Sequence, residues 1–246
     1  MDYFLEIFAK LPRAGPGSTA STTRAWEMMS GVPDEPHILD IGCGPGVQTV
    51  DLLQLSGGTV VAVDLLPIMI ERTKARARAA QLGKRLKLVR KDMNAMKFPP
   101  GSFDVIWSEA AIYNLGFERG LETIKPFVRP GGSVAVSEVV WLRPDPPETL
   151  KAYWEEYPEI DTIDNKLAVI ERQGYKLQGH FVLPEDDWRA DYYDPMASLL
   201  AKKSFEWSGN AEAMQVVREA RHEIQIFNEH LDYYGYAFFV MNRAPD

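Results

Sequence analysis

The sequence predicts an α/β fold in which a mostly parallel sheet carries helices on both faces. Two observations lead to this prediction. Between residues 36 and 141, short apolar runs alternate with segments of helical periodicity, and strands that alternate with helices form parallel sheets. In the same stretch, the glycine-rich segment 42–46 joins the first apolar run to a helix, as in folds that let a ligand approach the backbone closely.

Two short helices are predicted ahead of the first strand. The apolar residues of segment 4–11 share one helical face, and a second helix is predicted over 19–30. The flexible turn between them, 15–18, consists of glycine, proline and serine. We expect this turn to be either part of a lid over a ligand site or a plain connector between two helices.

The regular alternation begins at residue 36. Strands are predicted where apolar and β-branched residues run together, at 38–41, 59–63, 86–90, 103–107 and 133–140. Helices are predicted between them, at 46–55, 67–81 and 118–127. In such a sheet the carboxyl ends of the strands form the edge at which ligands bind.

The second half of the chain departs from this regular pattern. Further helices are predicted at 148–156, from 162 or 164 to 174, and over 186–228 with a break at 208–210. Two more strands are predicted, at 175–183 and 233–241. Because the long helical stretch lies between these last two strands, we expect it to be an insertion that caps the ligand-binding edge.

Composition restricts the possible functions. The net charge of −8 argues against a general nucleic-acid binder, since affinity for phosphate backbones needs clustered basic residues. The single cysteine, Cys43, excludes an internal disulfide and a cysteine-rich metal site, and no metal site is predicted. No run reaches the ~18 apolar residues of a membrane span, and residues 1–6 lack the basic start of a signal peptide. We therefore expect a cytoplasmic protein without membrane or nucleic-acid partners.

The segment Asp40-Ile41-Gly42-Cys43-Gly44-Pro45-Gly46 is the strongest functional signal. Val47 stands where the dinucleotide-binding pattern G-x-G-x-x-G needs a small residue, so that pattern is not met. Asp64 ends the second strand, where a carboxylate can accept hydrogen bonds from both hydroxyls of a ribose. Asp92 and Glu109 follow the third and fourth strands, which places a series of acidic side chains at one edge of the sheet.

The pattern D-x-G-x-G-x-G at 40–46, with these strand-end acids, resembles the motifs of the class I S-adenosylmethionine-dependent methyltransferases. The turn at 125–132 is similar to the turn before that family's fifth strand. The resemblance covers residues 36–141 and implies a Rossmann-like sheet of seven strands whose last strand is antiparallel. The strands predicted at 175–183 and 233–241 would then be the sixth and seventh.

The resemblance also implies a cofactor, S-adenosylmethionine, with S-adenosylhomocysteine as its product. Asp64 would bind the ribose, Asp92 the adenine amino group, and Met93 the adenine ring. Asp40 would lie at the amino-acid end of the cofactor, and Ser108 where a backbone carbonyl meets its ammonium group. The full predicted set of cofactor residues is Asp40, Gly42, Gly44, Gly46, Gln48, Asp64, Leu65, Asp92, Met93, Asn94, Ser108 and Glu109.

No catalytic residue is shared by the whole family, because a methyl group on a sulfonium is already a strong electrophile and the enzyme mainly orients the reactants. Candidates come from position. Glu109 and Tyr113 follow the fourth strand, beside the transferring methyl group, and His180 lies in the sixth strand. Each has a structural alternative, with Glu109 as a cap of the next turn and Tyr113 or His180 as packing residues.

The whole chain, 1–246, is therefore predicted to be one methyltransferase domain, with an N-terminal helical lid at 1–35, a cofactor-binding core at 36–141, and a substrate-side cap with the final strands at 142–246. We expect in-line transfer of a methyl group to a small-molecule acceptor, since the aromatic residues of the second half suit a flat or cationic molecule. The alternatives are a tRNA or protein acceptor, a nicotinamide-dependent oxidoreductase, and a non-catalytic protein that binds S-adenosylmethionine. The oligomeric state stays open, with a homodimer as one candidate.

Overall fold

The computed structural model describes residues 2–245, so Met1 and Asp246, the two ends of the predicted domain, lie outside the described residues. Its strands are β1 (His37–Ile41), β2 (Thr59–Asp64), β3 (Leu86–Arg90), β4 (Phe103–Ser108), β5 (Val128–Trp141), β6 (Asp161–Thr162), β7 (Tyr175–Val182) and β8 (Tyr234–Arg243).

Its α-helices are α1 (Tyr3–Phe8), α2 (Thr19–Glu27), α3 (Val47–Leu55), α4 (Pro67–Ala79), α5 (Phe117–Ile124), α6 (Glu148–Tyr153), α7 (Ile163–Arg172), α8 (Asp186–Trp188), α9 (Asp194–Glu206) and α10 (Ala211–His230). Short 3₁₀ turns occur at Gly83–Arg85, Met93–Ala95 and Ile112–Asn114, and a π-helical turn occurs at Arg189–Tyr193. None of the helices within residues 2–245 has both the length and the apolar character that crossing a membrane requires.

The sheet has the strand order β3-β2-β1-β4-β5-β8-β7, with β6 paired to the end of β5. The first five strands run parallel, and β8 runs antiparallel to both of its neighbours, β5 and β7. The predicted α/β class, with a mostly parallel sheet and an antiparallel last strand, is confirmed. The two-residue β6 makes this an eight-stranded sheet within the described chain, and so short a strand has no periodicity that a sequence could reveal.

Side chains alternate between the two faces of the sheet, and both faces are buried, as in other parallel sheets. On one face Leu39 and Ile41 belong to an apolar cluster with residues of α5 and α7. On the other face Ile38 belongs to a cluster with residues of α1, α3 and α10. Helices α8, α9 and α10 occupy the stretch between β7 and β8, for which the cap is predicted. Helices therefore cover both faces, as expected.

The long helix predicted over 186–228 is more interrupted than expected. The break at 208–210 is confirmed, because Asn210 is the N-cap of α10 and its side chain accepts a hydrogen bond from the backbone of Ala213. A second interruption, the π-helical turn, precedes Pro195 at the start of α9. Proline has no N–H for the hydrogen bond to the preceding turn, so it is suited to the first turn of a helix.

Candidate functional site

A cavity of about 420 Å³ lies at the carboxyl ends of β1, β2 and β4. Its walls come from the N-terminal segment 13–16, the glycine loop 42–45, the tip of β2 at 63–66, residues 91–94 after β3, and residues 109–114 after β4. The strand order reverses here, since β1 lies between β2 and β4. Ligands bind at this switch point in open α/β sheets, and the volume suits a cofactor-sized molecule.

The glycine loop 42–46 is shaped by backbone conformations that other residues rarely adopt. Gly42 has φ +72° and Gly46 has φ +83°. A Cβ at Gly42 would overlap the Cβ of Ala111, and a Cβ at Gly46 would come within 2.6 Å of the Thr73 hydroxyl oxygen. Neither position can therefore carry a side chain without displacing a neighbour, and Gly42, Cys43 and Gly44 form part of the cavity wall.

Asp64 is fixed at the tip of β2 by backbone donors. Its Oδ2 accepts the N–H of Gly44 at 2.9 Å, and its Oδ1 accepts the N–H of Leu66 at 2.9 Å. Burial raises the pKa of Asp64, while these backbone hydrogen bonds favour its charged form. Each carboxylate oxygen has a second lone pair, so the side chain can also accept hydrogen bonds from a ligand.

Asp40, directly ahead of the glycine loop, is fully buried. The hydroxyl of Thr49 donates to its Oδ2, whereas its Oδ1 has no hydrogen-bond partner among residues 2–245. Burial raises the pKa of Asp40 to about 7. A buried carboxylate oxygen without a donor favours a cation or donor nearby, which would stabilise the charged form.

Asp92 and Met93 form the wall beyond β3. The Oδ1 of Asp92 accepts the backbone N–H of Asn94 at 2.8 Å and its side-chain amide at 3.1 Å. These hydrogen bonds lower the pKa of Asp92, so the carboxylate is charged at neutral pH. The turn thereby holds a charged acceptor beside an apolar thioether, a pair suited to the edge and the face of an adenine ring.

Glu109 is buried at the end of β4, and three donors engage its carboxylate. Trp107 Nε1 and the Thr22 hydroxyl donate to Oε1 at 2.8 and 2.7 Å. Arg13 Nη1 donates to Oε2 at 3.1 Å, and Nη2 of the same guanidinium donates to Asp51 at 3.3 Å. Burial raises the pKa of Glu109, and the Arg13 charge opposes that shift. Glu109 thus joins the strand end to the N-terminal segment.

The N-terminal segment 13–17 lies between the cavity and the cap. The backbone N–H of Arg13 donates to Asp191 and that of Gly17 donates to Asp187, at 3.2 and 3.0 Å. A Cβ at Gly15 would come within 2.7 Å of the Cβ of Ala110, so the segment passes very close to the cavity wall. The segment therefore forms part of the cavity wall.

The structure brings most of the predicted site residues together. Those that line the cavity are Gly42, Gly44, Gln48, Asp64, Leu65, Asp92, Met93, Asn94, Glu109 and Tyr113. Four lie outside its wall, namely Asp40, Gly46, Ser108 and His180. Ser108 is buried and its hydroxyl donates to the Ile41 carbonyl at 3.0 Å, which joins β4 to β1. His180 is exposed on β7, the edge strand farthest along the sheet from the cavity, and stacks on Phe239.

Sequence reasoning missed the part that Arg13 plays. Its side chain is 4% exposed, although an arginine beside a glycine-proline turn is usually solvated. The sequence shows only that Arg13 precedes the turn at 15–18. Its partner Glu109 is 96 residues away in the chain, so no local pattern links the two residues. The residues described by the structure include no group of three or more His, Cys, Asp or Glu side chains placed to hold a metal ion.

Comparison with known proteins agrees with this geometry. Residues 38–132 match the family model of the methyltransferase domain. Sterol 24-C-methyltransferase ERG6B of Gibberella zeae is 27% identical over 180 residues, which are 68% of this chain and 47% of that protein. Methyltransferase GfsG of Streptomyces halstedii is 27% identical over 147 residues, 57% of this chain and 52% of that protein. The chain spans about half the length of the curated relatives it matches.

Solved structures match over the whole chain. A methyltransferase from Geobacter sulfurreducens in complex with S-adenosylhomocysteine has a TM-score of 0.86 and 17% identity, covering 100% of this chain and 98% of its own. A second, from Thiobacillus denitrificans, has a TM-score of 0.85 and 16% identity, covering 98% of each chain. At these identities the likeness shows the fold. Residues 38–132 thus match the methyltransferase-domain family model, and the chain has the fold of these solved methyltransferase structures.

Proposed function

We propose that this chain transfers the methyl group of S-adenosylmethionine to a small-molecule acceptor. The observation that carries the proposal is the cavity at the switch point, where an open glycine loop faces a carboxylate held at the tip of β2. S-adenosylmethionine supplies a methyl group on a positively charged sulfur. The protein then has to bind the two reactants, align them and exclude water, and alignment alone can contribute roughly 7–11 kcal/mol in favourable cases.

The residues around the cavity fit this cofactor. Gly42 lets the ligand approach the backbone, and Asp64 offers two acceptor oxygens to a ribose. Asp92 and Met93 offer a charged acceptor and an apolar surface to an adenine. The free Oδ1 of Asp40 gives the amino-acid end of the cofactor a buried acceptor close by.

We assign the N-terminal residues, up to 35, to a lid within a single methyltransferase domain, with the core at 36–141 and the cap at 142–246. The contacts of Arg13 support this division, since they link the N-terminal segment to β4 through Glu109 and to the cap through Asp191. In this arrangement Glu109 positions the lid and is not a proton acceptor, because donors already engage both of its oxygens. Tyr113, which faces the cavity and is 40% exposed, stays a candidate for contact with the acceptor.

A small acceptor is favoured over a macromolecule. The N-terminal segment 13–16 and the loop after β4 line the cavity, and its volume of about 420 Å³ is in the range of small-molecule sites. The net charge of −8 also disfavours RNA. The sterol methyltransferase relatives act, by their name, on a small molecule.

Binding of the cofactor tests the first half of this proposal. Replacing Asp64 by Asn removes a charge-assisted hydrogen bond to the ribose, which costs roughly 1.5–3 kcal/mol, so the Kd for S-adenosylmethionine should rise at least about tenfold in calorimetry. Asp232→Asn, at an exposed aspartate far along the chain, is the matched control and should bind like the parent protein. Equal affinity of the two variants, or binding of NADH without S-adenosylmethionine, would overturn the cofactor assignment.

Transfer of label tests the second half. The parent protein and Asp64→Asn are incubated with [methyl-³H]S-adenosylmethionine and a cell extract, which is then divided into small-molecule, protein and RNA fractions. Label should enter the small-molecule fraction with the parent protein and be strongly reduced with the variant. Label in the protein or RNA fraction instead would contradict a small-molecule acceptor.

A further inference from the structure

Positive charge is concentrated at the β3 end of the sheet. Segment 65–91, which spans α4, the turn at Gly83–Arg85 and β3, contains nine lysines and arginines and a single acidic residue, Glu71. Its net charge is therefore +8, in a chain whose total is −8. The acids that flank the segment, Asp64 and Asp92, line the cavity. The surface here named the basic end is formed by Arg72, Lys74, Arg76, Arg78, Lys84, Arg85, Lys87, Arg90 and Lys91.

Few of these charges are neutralised by a carboxylate. Lys74 pairs with Glu71 at 3.7 Å, and among residues 2–245 it is the one member of the basic end with a carboxylate within 4.0 Å. Arg72 and Arg85 donate hydrogen bonds to backbone carbonyls. A neutral carbonyl fixes the guanidinium but leaves its charge uncompensated, so the basic end keeps nearly all of its positive charge.

The basic end is open to solvent. β3 is the edge strand on this side of the sheet, and α4 packs against β2 and β3. Arg78 on α4, Lys84 in the following turn, Lys87 and Arg90 on β3, and Lys91 directly after it are all exposed. Positive charge is therefore presented along the whole edge of the sheet, up to the carboxyl end of β3, where the cavity begins.

Large apolar side chains are exposed where the basic end meets the cavity. Leu65 lines the cavity and is 55% exposed, and Ile68 in the first turn of α4 is 41% exposed. Phe4 of α1, also 55% exposed, stacks at 5.1 Å on Phe8, which lines the same cavity. One turn beyond Ile68, Arg72 donates at 2.7 Å to the carbonyl of the residue after Phe8, which ties α1 to α4. Phe4, Leu65 and Ile68 are here named the apolar rim.

An anionic membrane surface fits this combination of charge and apolar exposure. Each Lys or Arg near acidic headgroups raises the affinity about fivefold, and exposed apolar side chains enter the boundary between headgroups and acyl chains. A nucleic acid also attracts positive charge, but single strands bind by stacking on aromatic side chains, and segment 65–91 has no Phe, Tyr, Trp or His. Leu65 and Ile68 would make no favourable contact with a phosphate backbone, whereas lipid accommodates them.

We propose that the basic end docks on an anionic membrane surface, with the apolar rim inserted among the headgroups. The proposal goes beyond methyl transfer and does not depend on it. Leu65 and Lys91 belong both to the docking face and to the cavity wall, so the docked protein brings its cavity to the lipid. The sequence disfavoured a membrane partner through the lack of a spanning apolar run, and docking on a surface needs no such run.

Sedimentation with lipid vesicles tests the docking. The full chain is mixed, in about 0.1 M NaCl, with vesicles of phosphatidylcholine alone or with vesicles that contain about one-third phosphatidylserine. It should bind the anionic vesicles at least about tenfold more tightly. Raising NaCl to about 0.5 M should remove most of this preference, because salt screens exposed charges.

Two triple variants locate the charges that matter. The variant Arg78→Gln/Lys84→Gln/Lys87→Gln removes three exposed charges from the basic end and should bind anionic vesicles at least about tenfold more weakly. The matched control removes three exposed charges elsewhere and should bind within about threefold of the parent protein. It carries the substitutions Lys176→Gln, Lys202→Gln and Arg218→Gln.

A double variant tests the apolar rim. Phe4→Ser/Ile68→Ser should bind anionic vesicles at least about threefold more weakly, because less apolar surface enters the lipid. Phe205→Ser, at an exposed aromatic side chain of α9, is the matched control and should bind like the parent protein. Circular dichroism confirms that each variant is folded.

Three outcomes overturn the proposal. The first is equal binding of the parent protein to the two kinds of vesicle, a comparison that needs no variant. The second is a loss of affinity in the control triple variant as large as in the basic-end variant, or unchanged binding in the double variant of the rim. The third is tighter binding to transfer RNA than to anionic vesicles at the same salt concentration, which would assign the basic end to a nucleic acid.

Discussion

Arg13 holds its guanidinium almost completely out of water between two buried carboxylates, and the half-exposed carboxylate of Asp191 lies 3.8 Å from its Nε. It is 4% exposed and pairs with Glu109 at 3.1 Å and with Asp51 at 3.3 Å. Such a pair contributes little net stability compared with an apolar core, but removal of one partner leaves a buried charge uncompensated. Arg13 therefore matters mainly because it compensates the charges of these two carboxylates, whereas its net contribution to the stability of the fold is small.

We expect Arg13→Met to lower the free energy of unfolding by about 3 kcal/mol, measured by urea denaturation, because Glu109 and Asp51 lose their common cation. Lys10→Met is the control, since Lys10 pairs with Glu6 on the surface and its loss should cost under about 1 kcal/mol. The double variant Arg13→Met/Glu109→Gln should regain part of the loss. Equal stability of the two single variants would show that the buried ions do not depend on each other.

For individual residues, the sequence predicted the positions of the acidic side chains better than it predicted the residues with which they pair. Asp64 is the last residue of β2 and Asp92 comes two residues after β3, so a local pattern places them at the edge of the sheet and in the cavity wall. Glu109 was placed in the wall by the same pattern, but its contact with Arg13 joins residues 96 positions apart and has no local signature. His180 was suggested by residue type alone, and the position of its strand takes it to the far edge.

Among the elements, α2 connects the N-terminal segment 13–17 to the edge of the sheet at which the cavity lies. Ser18 is its N-cap and accepts the N–H of Ser21 at 3.1 Å, and Thr22 in the next turn donates to Glu109. A side-chain cap satisfies one of the backbone donors that the first turn of a helix leaves free. The start of α2 therefore helps to fix the position of segment 13–17 beside the cavity.

We expect Ser18→Ala to lower the free energy of unfolding by about 1 kcal/mol and Ser18→Gly by only a few tenths. Hydrogen exchange of the Ser21 amide should become faster in the alanine variant, since that amide loses its acceptor. Thr23→Ala serves as a control in the same helix, because the Thr23 hydroxyl donates to a helical carbonyl on the exposed side. Unchanged exchange at Ser21 would mean that the cap does not stabilise this turn.

The sequence predicted long, periodic elements well and short ones poorly. The strand predicted at 133–140 begins five residues earlier, at Val128, because Val128 pairs with Phe103 before the register shifts around Pro130 and Gly131. Proline and glycine predict the end of a strand when the sequence is considered locally. Only the pairing with the neighbouring strand reveals that β5 continues through them. The sequence did not predict β6 or the π-helical turn for the same reason, because contacts with distant parts of the chain determine them.

For the molecule as a whole, buried acids make stability depend on pH. Burial raises the pKa of Asp40 and of Glu138 to about 7, from ordinary values of 3.8 and 4.5. Thr49, Gln48, Glu109 and Asp64 surround Asp40, and Lys166, Tyr157 and Glu159 surround Glu138. The folded protein holds these two protons more tightly than the unfolded chain, so its stability falls as pH rises from about 4 to about 7.

We expect the protein without ligand to lose on the order of 2 kcal/mol for each of these groups between pH 5 and pH 8. Glu138→Gln cannot ionise and should be at least as stable as the parent protein at pH 8, with a flatter dependence on pH. Urea denaturation at both pH values measures the difference, and Glu155→Gln should behave like the parent. A parent protein that becomes more stable toward pH 8 would contradict the burial of these charges.

The position of β8 has a consequence for biosynthesis. Among the described residues this strand comes after the other seven, yet it lies inside the sheet and pairs with β5 on one side and β7 on the other. During translation β5 therefore exposes an open edge until the last strand has left the ribosome, and exposed apolar edges are sites of aggregation. A premature stop codon before Tyr234 would detach β7 as well as remove β8, so a late nonsense mutation should yield an insoluble chain and not a slightly shortened enzyme.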